Sequence, residues 1–357
     1  MTTLPEPDGE LAEIFRRLIR NTGPISLVQF MGESNARYYA TRDPLGGAGD
    51  FVTAPEISQM FGELIGLWLA DMWINSGREE PVSYVELGPG RGTLAKDALR
   101  AMKRYGLEPA VHFVETSRTL REVQLAAVPQ AQWHDDVSTL PWDDPLLVVA
   151  NEFFDALPVR QLVRTEEGWR ERMIALDGDD FVFVAGKQPM DAAMPAGAGD
   201  LPPGSIVETC PAAAAVAYEL FHRLAEQGGC ALVFDYGAQR PDAGSTLQAV
   251  RAHRKVDPFE TPGSADLTAH VDFGTLANIA ESRGLRNLGT VGQGDWLRAL
   301  GVEARAQALA KAAPHYAEDI DAAMHRLIDA DQMGRLFKAM GVAHAAWPGG
   351  AGFAQPS

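Results

Sequence analysis

The sequence predicts an α/β fold whose mostly parallel, Rossmann-like sheet carries a glycine-rich loop. The apolar run 82–87 leads directly into Gly88-Pro89-Gly90-Arg91-Gly92, and apolar residues at helical spacing follow over 94–105. Strand, glycine turn and helix in this order commonly hold the polar end of a cofactor, because glycine lets a ligand approach backbone N–H groups beside a helix N-terminus. Further runs have the length and composition of buried strands: 110–114, 146–150 and 230–237.

The spacing of the glycines separates two classes of cofactor. A dinucleotide-binding loop has the pattern G-x-G-x-x-G, whereas here the glycines fall at 88, 90 and 92, and Thr93 stands where a third dinucleotide glycine would be. Glu86 ends the preceding strand, and a carboxylate is favourable beside the cationic ammonium and sulfonium of S-adenosylmethionine (SAM) but costly beside a pyrophosphate. The loop therefore favours SAM, with an ordinary glycine-rich turn as the alternative.

Two later strands end in acids that suit the same cofactor. Glu115 follows the predicted second strand, at about the 20-residue spacing at which an acid accepts hydrogen bonds from ribose hydroxyls. The stretch 131–137 is typical of a short strand that ends at Asp135, Asp136 and Val137, where a methyltransferase contacts the adenine amino group. The alternatives are a capping role for Glu115 and an ordinary turn at the Asp pair.

Composition narrows the class of partner and the expected location. The formal net charge of −17 argues against a nucleic-acid substrate, since phosphate binding needs clustered Lys and Arg, and it suits a cationic protein segment. Cys210 and Cys230 are the only cysteines, so neither a disulfide framework nor a thiolate metal site is expected. No apolar stretch approaches the roughly 18 residues of a membrane span. We therefore expect a cytoplasmic protein without a leader segment.

The first part of the chain, residues 1–80, is expected to be a helical and lid segment. An amphipathic helix over 9–21 precedes a second helix. The glycine-rich stretch 38–56 has aromatic residues at both ends and is not expected to form regular structure. We expect a lid over the cofactor pocket across 38–61, with Thr53 and Gln59 as cofactor contacts; the alternative is an N-terminal clasp that only packs.

The rest of the chain is expected to form a sheet core with one insertion. At 357 residues the sequence has room for two lobes or for one domain with insertions. Residues 81–158 and 229–300 form the predicted core, and the turn clusters between β-like segments in 159–228 predict an antiparallel β-hairpin and helical insertion. Residues 301–357 are expected to be helical, with a frayed tail.

The chemistry is expected at the end of the fourth strand of the core. Asn151, Glu152 and Asp155 follow the apolar run 146–150, and open α/β sheets place reacting groups at such strand ends. Two carboxylates can grip a guanidinium and draw its positive charge toward one nitrogen, which leaves the other more nucleophilic. Phe153 or Phe154 would wall the pocket and exclude water, and His270 would assist proton removal. The alternatives are a plain strand-end turn and a structural histidine.

Several segments along most of the chain, roughly residues 10–345, share their sequences with one enzyme family. They are Tyr38-Tyr39, Gly49-Asp50-Phe51, 53–63, 86–92, 151–158 and 234–237. Together they resemble the MidA family of SAM-dependent methyltransferases, which is related to the mitochondrial complex I assembly factor that methylates an arginine. The chain departs from that pattern at Arg37, where relatives carry glycine. Of the two glutamates in the arginine methyltransferase loop, only Glu152 is matched.

The resemblance implies a class I SAM-dependent methyltransferase fold with inserted segments. It also implies a protein substrate that presents an arginine, with a respiratory complex I subunit as one candidate. The alternatives are a small-molecule or other protein N-methyltransferase on the same scaffold, and an assembly chaperone whose SAM site is vestigial. The candidate cofactor-binding residues are Glu86, Gly88, Pro89, Gly90, Gly92, Glu115, Asp135, Asp136, Val137, Asn151, Phe153, Thr53 and Gln59.

Overall fold

The chain forms two compact units, each built from separate stretches of sequence. The first unit comprises residues 1–42, 155–213 and 240–270, and the second comprises 43–154, 214–239 and 271–357. The structure, a computed structural model, describes residues 7–41, 52–78, 80–194, 201–240 and 243–353. The four-part division expected from the sequence stays a prediction, and the two units are described separately.

Helices account for much of the described chain. In chain order they are α1 (Pro7–Thr22), α2 (Leu27–Thr41), α3 (Ala54–Ile57), α4 (Gln59–Asn75), α5 (Thr93–Lys103), α6 (Arg118–Ala127), α7 (Pro211–Gln227), α8 (Phe273–Ser282), α9 (Gln293–Ala299), α10 (Val302–Ala312), α11 (Ala317–Ile328) and α12 (Met333–Leu336). None of these helices has the length and apolar character needed to cross a membrane.

The strands of the same ranges form three sheets. In chain order they are β1 (Ile25–Ser26), β2 (Ser83–Leu87), β3 (Ala110–Val114), β4 (Gln132–His134), β5 (Leu146–Asn151), β6 (Arg160–Thr165), β7 (Gly168–Asp177), β8 (Asp180–Pro189), β9 (Ile206–Thr209), β10 (Gly229–Ala238), β11 (Gln248–Arg251), β12 (Arg254–Val256), β13 (Asp266–Thr268), β14 (Val271–Asp272), β15 (Arg286–Gly292) and β16 (Phe337–Ala343).

The second unit contains the large sheet, with strand order β15-β16-β10-β5-β2-β3-β4. The strands from β10 to β4 run parallel, whereas β16 is antiparallel to both of its neighbours. β5 lies between β2 and β10, and its residues 146–150 are at most 1% exposed, as expected for a parallel strand covered on both faces. The predicted Rossmann-like sheet is confirmed.

The end of the chain differs from the sequence prediction. The expected C-terminal helices are interrupted by β16, which pairs along its whole length with β10; a short apolar run does not distinguish a strand from a helix by its periodicity. The expected frayed tail is also wrong for the described residues. Gly350 lies against the ring of Trp68, whose Nε1 donates to the carbonyl of Ala351 at 3.0 Å, and Phe353 is 8% exposed.

The first unit is mainly antiparallel. Its larger sheet has the order β1-β7-β6-β9, with β8 on β7, and a smaller sheet has the order β12-β11-β13, so the predicted hairpins are confirmed. One expectation needs correction. Tyr38 and Tyr39 lie in α2 rather than in an irregular loop, because α2 continues to Thr41. The Asn35 amide on this helix bonds the backbone N–H and carbonyl of Leu267. Of the expected lid, residues 42–51 lie outside the described residues.

Helices α4 and α5 of the second unit approach each other closely at two glycines. A Cβ atom on Gly66 would lie 2.3 Å from the carbonyl oxygen of Ala98, and one on Gly62 would lie 2.8 Å from the Asp97 Cβ. Glycine is therefore required where the two backbones pack. Most residues of α4 are buried, and its contact with α5 anchors the helix that follows the glycine loop.

Replacing Gly66 by alanine should destabilise the second unit by about 1–3 kcal/mol, because the added methyl group has no space beside a rigid backbone carbonyl. Urea unfolding measures this difference. Gly9→Ala on α1 is the matched control, since a Cβ there meets nothing within 4 Å and alanine favours the helix. A Gly66→Ala protein as stable as the Gly9→Ala protein would contradict the packing argument.

Candidate functional site

The carboxyl ends of four parallel strands, β2, β3, β4 and β5, lie along one edge of the large sheet. The segments that follow these strands carry most of the predicted site residues: 88–92, 115–117, 135–139 and 151–153. The alternating strands and helices therefore bring together residues that are far apart in the sequence, as open α/β sheets do at their ligand sites.

The glycine loop after β2 has backbone angles that L-residues rarely adopt. Gly88, Gly90 and Gly92 have φ values of +59°, +55° and +78°, and Gly92 caps α5. The loop is closed by a 2.8 Å hydrogen bond from the Gly92 N–H to the Pro89 carbonyl. A Cβ on Gly88 would lie 3.0 Å from the Phe153 ring. The predicted strand, glycine turn and helix are confirmed, and the Phe153 ring packs directly on the loop.

Glu86 lies deeper than the sequence suggests. Its side chain is buried, at 2% exposure, and accepts a 2.6 Å hydrogen bond from the Tyr84 hydroxyl. Burial raises the pKa of the Glu86 carboxyl to about 8, with the Tyr84 hydrogen bond acting in the opposite direction. At neutral pH this carboxyl therefore favours its neutral form, so it does not supply the negative charge that the sequence argument assigned to it.

Glu115 follows β3 and is held by backbone and side-chain donors. The Ser117 N–H donates to its Oε1 at 2.8 Å, and the Gln124 side chain donates to its Oε2 at 3.2 Å. Burial raises the pKa of this carboxyl, while these hydrogen bonds oppose the rise. Glu115 therefore lies at the predicted strand end, in a defined orientation. Gln124 was not predicted, because a glutamine within a helix carries no sequence signal of its own.

The two aspartates after β4 have different roles. Asp135 is exposed and pairs with Arg121, which also donates to the Glu115 carbonyl and so ties the ends of β3 and β4 together. Asp136 caps the short 3-10 turn Val137–Thr139 by accepting from the Ser138 N–H at 2.7 Å. Hydrogen bonds from Ser138 lower the Asp136 pKa. Val137 is 3% exposed.

The end of the central strand β5 has an unusual backbone. Glu152 has φ +49°, a left-handed conformation that is uncommon for residues other than glycine and that occurs often at functional sites. Its Oε1 accepts hydrogen bonds at 3.3 Å from the Ala54 N–H and from the Asn151 side chain. The Oδ1 of Asn151 is buried, and none of the described residues donates a hydrogen bond to it. Sequence reasoning missed the support from Asp235, whose Oδ2 accepts from the Phe154 N–H at 3.0 Å.

The segment around α3 contacts the same edge of the sheet. Thr53 directly precedes α3, and Gln59 begins α4 with an exposed side chain. Glu56 of α3 accepts a short hydrogen bond from the Thr93 hydroxyl at the start of α5. Residues 52–61 therefore contain α3 and the first turn of α4, and they belong to the second unit. Glu56 contacts the start of α5, directly after the glycine loop, and was not expected from the sequence.

Asp155 and His270 belong to the first unit. Asp155 is buried, at 6% exposure, and its carbonyl accepts a 3.0 Å hydrogen bond from the Ala269 N–H. The His270 side chain is exposed, and its backbone N–H donates to the Thr246 hydroxyl at 2.8 Å. The catalytic roles expected for these two residues stay predictions.

Replacing Glu86 by glutamine should change how stability depends on pH. The folded protein favours the neutral carboxyl up to about pH 8, whereas the unfolded chain ionises it near the ordinary pKa of 4.5. The wild type should therefore lose a few kcal/mol of unfolding free energy as the pH rises between these values, at about 1.4 kcal/mol per pKa unit. Glu86→Gln has no titratable carboxyl at this position, so its unfolding free energy should not show this decrease as the pH rises. Urea unfolding across this pH range measures it, and a pH-independent difference between the two proteins would contradict the assignment.

Comparison with known proteins identifies the family. Residues 64–291 match the family described as "Putative S-adenosyl-L-methionine-dependent methyltransferase". The mitochondrial protein arginine methyltransferase NDUFAF7 of Xenopus tropicalis is 34% identical over 90% of this chain and 82% of its own. Its Drosophila melanogaster homolog is 36% identical over 92% and 84%.

A solved structure shows the same fold. A protein from Burkholderia thailandensis, crystallised with S-adenosylhomocysteine (SAH), superposes with a TM-score of 0.84 at 28% identity, covering 99% of this chain and 97% of its own. The expected resemblance to the MidA family, the class I fold and the SAM cofactor are confirmed. The expected cytoplasmic location is contradicted, because the curated relatives are named as mitochondrial proteins. The chain belongs to the family of SAM-dependent methyltransferases that includes the protein arginine methyltransferase NDUFAF7.

Proposed function

We propose that the protein methylates an arginine side chain of a protein substrate at the carboxyl edge of the second unit's sheet. The family membership and the activity for which the relatives are named support this acceptor. The observation that carries the proposal is Glu152, a carboxylate held in a left-handed conformation at the end of the central strand, beside the glycine loop. Bound SAM supplies a methyl group activated by its sulfonium.

The residues along this edge suit the cofactor. The backbone of the glycine loop lies against the Phe153 ring and carries no side chain at Gly88, Gly90 and Gly92. Within the described part of the chain, the buried Oδ1 of Asn151 has no donor, as expected where a ligand N–H binds. Glu115 presents acceptor oxygens suited to ribose hydroxyls. The glycine loop would hold the methionine end, Glu115 the ribose, and Asp136 with Val137 the adenine.

Glu152 would act on the acceptor. A guanidinium is protonated and delocalised, and a carboxylate that accepts its N–H groups draws positive charge toward the bonded nitrogens. The remaining nitrogen is then the better nucleophile. Its new N–C bond would form as the S–CH3 bond of the sulfonium breaks, SAH would leave with the electron pair, and the nitrogen would lose one proton to the carboxylate or to solvent. Because Oε1 is fixed by Ala54 and Asn151, the carboxylate is oriented in advance, and orientation accounts for much of the rate in such transfers.

Replacing Gly88 by alanine should weaken SAH binding by at least about 10-fold, because the methyl group meets the Phe153 ring and the residue retains a positive φ. Gly106→Ala is the matched control. Gly106 has φ +80° but no atom within 4 Å of an added Cβ, so it shares the backbone strain without the contact. Isothermal titration calorimetry measures both dissociation constants, and equal SAH affinities would contradict a cofactor site at this loop.

Replacing Glu152 by glutamine should lower kcat about 100-fold or more, since the neutral amide cannot draw charge from the guanidinium, while the SAH dissociation constant stays within a few-fold of wild type. Incorporation of labelled methyl groups from SAM into protein from a cell extract measures the rate, and acid hydrolysis identifies methylarginine. Glu122→Gln on an exposed position of α6 is the control.

The outcomes separate the competing functions. A methylated product other than arginine would favour another protein or small-molecule N-methyltransferase. An extract that stays unlabelled while the protein binds SAH would favour the chaperone alternative. Full activity of Glu152→Gln would remove Glu152 from the mechanism.

A further inference from the structure

One buried glutamine connects three of the strand ends that form the cofactor site. Gln124 lies on α6 with 0% exposure. Its Nε2 donates to the Gly90 carbonyl at 2.8 Å and to the Glu115 Oε2 at 3.2 Å. Its Oε1 accepts from the Trp133 indole N–H at 2.8 Å. A single amide thus bonds the glycine loop after β2, the acid after β3 and a side chain of β4.

The orientation of this amide is determined by its partners. The indole N–H of Trp133 can only donate, so the amide oxygen of Gln124 must face it. The Gly90 carbonyl can only accept, so the Nε2 group must face the loop, and its second hydrogen reaches Glu115. The reverse orientation would place an oxygen against two acceptors. Gln124 therefore has one satisfied arrangement, and that arrangement requires all three partners in their present positions.

The same helix also supports the loop sterically. A Cβ on Gly92 would lie 3.3 Å from the Ala127 Cβ and 3.7 Å from the Gln124 Cα, so α6 packs directly against the loop. The Glu115 carboxyl accepts from the Ser117 N–H on Oε1 and from the Gln124 amide on Oε2, and the Thr116 backbone is a further donor. Because an ionised carboxylate has about four acceptor sites, it retains acceptor capacity for a ribose hydroxyl, in an orientation set by the protein.

We propose that Gln124 is a positioning residue for SAM: its amide holds the Gly90 segment, which receives the methionine end, and the Glu115 carboxylate, which receives the ribose, at the separation that one cofactor molecule spans. This inference rests on the proposed cofactor site. Gln124 acts through Glu115 and the Gly90 backbone. Its loss therefore affects the two ends of the ligand together.

Gln124→Met keeps the length and approximate volume of the side chain but removes its donor and acceptor atoms. The Gly90 carbonyl and the Glu115 carboxylate would each lose a buried partner, and we expect SAH binding to weaken about 10- to 100-fold. Gln124→Glu places a second carboxyl beside Glu115. Its SAH affinity should fall further at neutral pH and recover toward lower pH, where a shared proton restores one donor. A residue that only fills space would show no such pH profile.

The decisive experiment is a double-mutant cycle on SAH affinity by calorimetry, with Gln124→Met, Glu115→Gln and the double variant. Because both residues act on the ribose end, their effects on SAH affinity should not be independent. The fold-loss of affinity in the double variant should be much smaller than the product of the two single fold-losses. Gln227→Met is the matched control. Gln227 also donates to backbone carbonyls, those of Pro141 and Asp144, near the start of β5, so its loss should reduce stability without a change in SAH affinity.

A second variant tests the orientation of the amide without removing it. Trp133→Phe retains an aromatic ring but deletes the N–H that fixes the Gln124 oxygen, and it should weaken SAH binding several-fold. This variant keeps the proposal testable if Gln124→Met does not fold. Wild-type SAH affinity in folded Gln124→Met or in Trp133→Phe, or strictly multiplicative effects in the cycle, would overturn the role of Gln124. Wild-type affinity in Glu115→Gln would instead overturn the proposed ribose contact, so the two failures are distinguishable.

Discussion

The close packing around the glycine loop is the constraint on which the rest of the second unit depends. An added Cβ would make tight contacts where Phe153 covers Gly88 and where α6 approaches Gly92, at 3.0 Å and 3.3 Å. The helices beside the loop are also closely packed, since α4 meets α5 backbone to backbone at Gly66. Protein interiors are packed so tightly that a single methyl group at such a contact is felt. The loop is therefore packed on two sides, by Phe153 and by α6.

The acids along the site differ in charge because their surroundings differ. Burial holds Glu86 toward its neutral form, whereas hydrogen bonds from Ser138 favour the ionised form of Asp136. For Glu115, burial raises the pKa, and hydrogen bonds from Ser117 and Gln124 oppose the rise. Carboxyl side chains near neighbouring strand ends thus provide a neutral hydrogen-bonding group, an oriented acceptor and a charged cap. The oriented acceptor suits ribose hydroxyls, whereas the neutral Glu86 offers no negative charge to the cationic end of the ligand.

Family membership and local geometry support the function in different ways. The comparisons show a SAM-dependent methyltransferase, and they carry the arginine acceptor through the named activity of relatives that match most of the chain. The geometry adds which groups of this chain are prepared for the chemistry. Glu152 is held by a left-handed backbone and by two donors, and Asp235 supports the turn that follows it. These supports lie in the same unit as the glycine loop.

Much of the site was predictable from the sequence, because strand-end acids and closely spaced glycines are local patterns. Glu115, the loop at 88–92 and the turn at Asp136 lie where their strands end, and the order of strands and helices in a parallel sheet brings such ends together. The burial of Glu86 and the rise in its pKa that follows were not predictable in this way, since both depend on the atoms around the side chain rather than on its neighbours in sequence.

The tertiary structure alone decided three further features. The apolar run in β16 became a strand because β10 offered an unpaired edge, and a run of that length is compatible with either a strand or a helix. The C-terminal residues packed because Trp68 lies beneath Gly350. Gln124 joined three strand ends because the register of the sheet brings Gly90, Glu115 and Trp133 around one helix position. Sequence determines local conformation and composition, whereas contacts between distant residues exist only once the chain has folded.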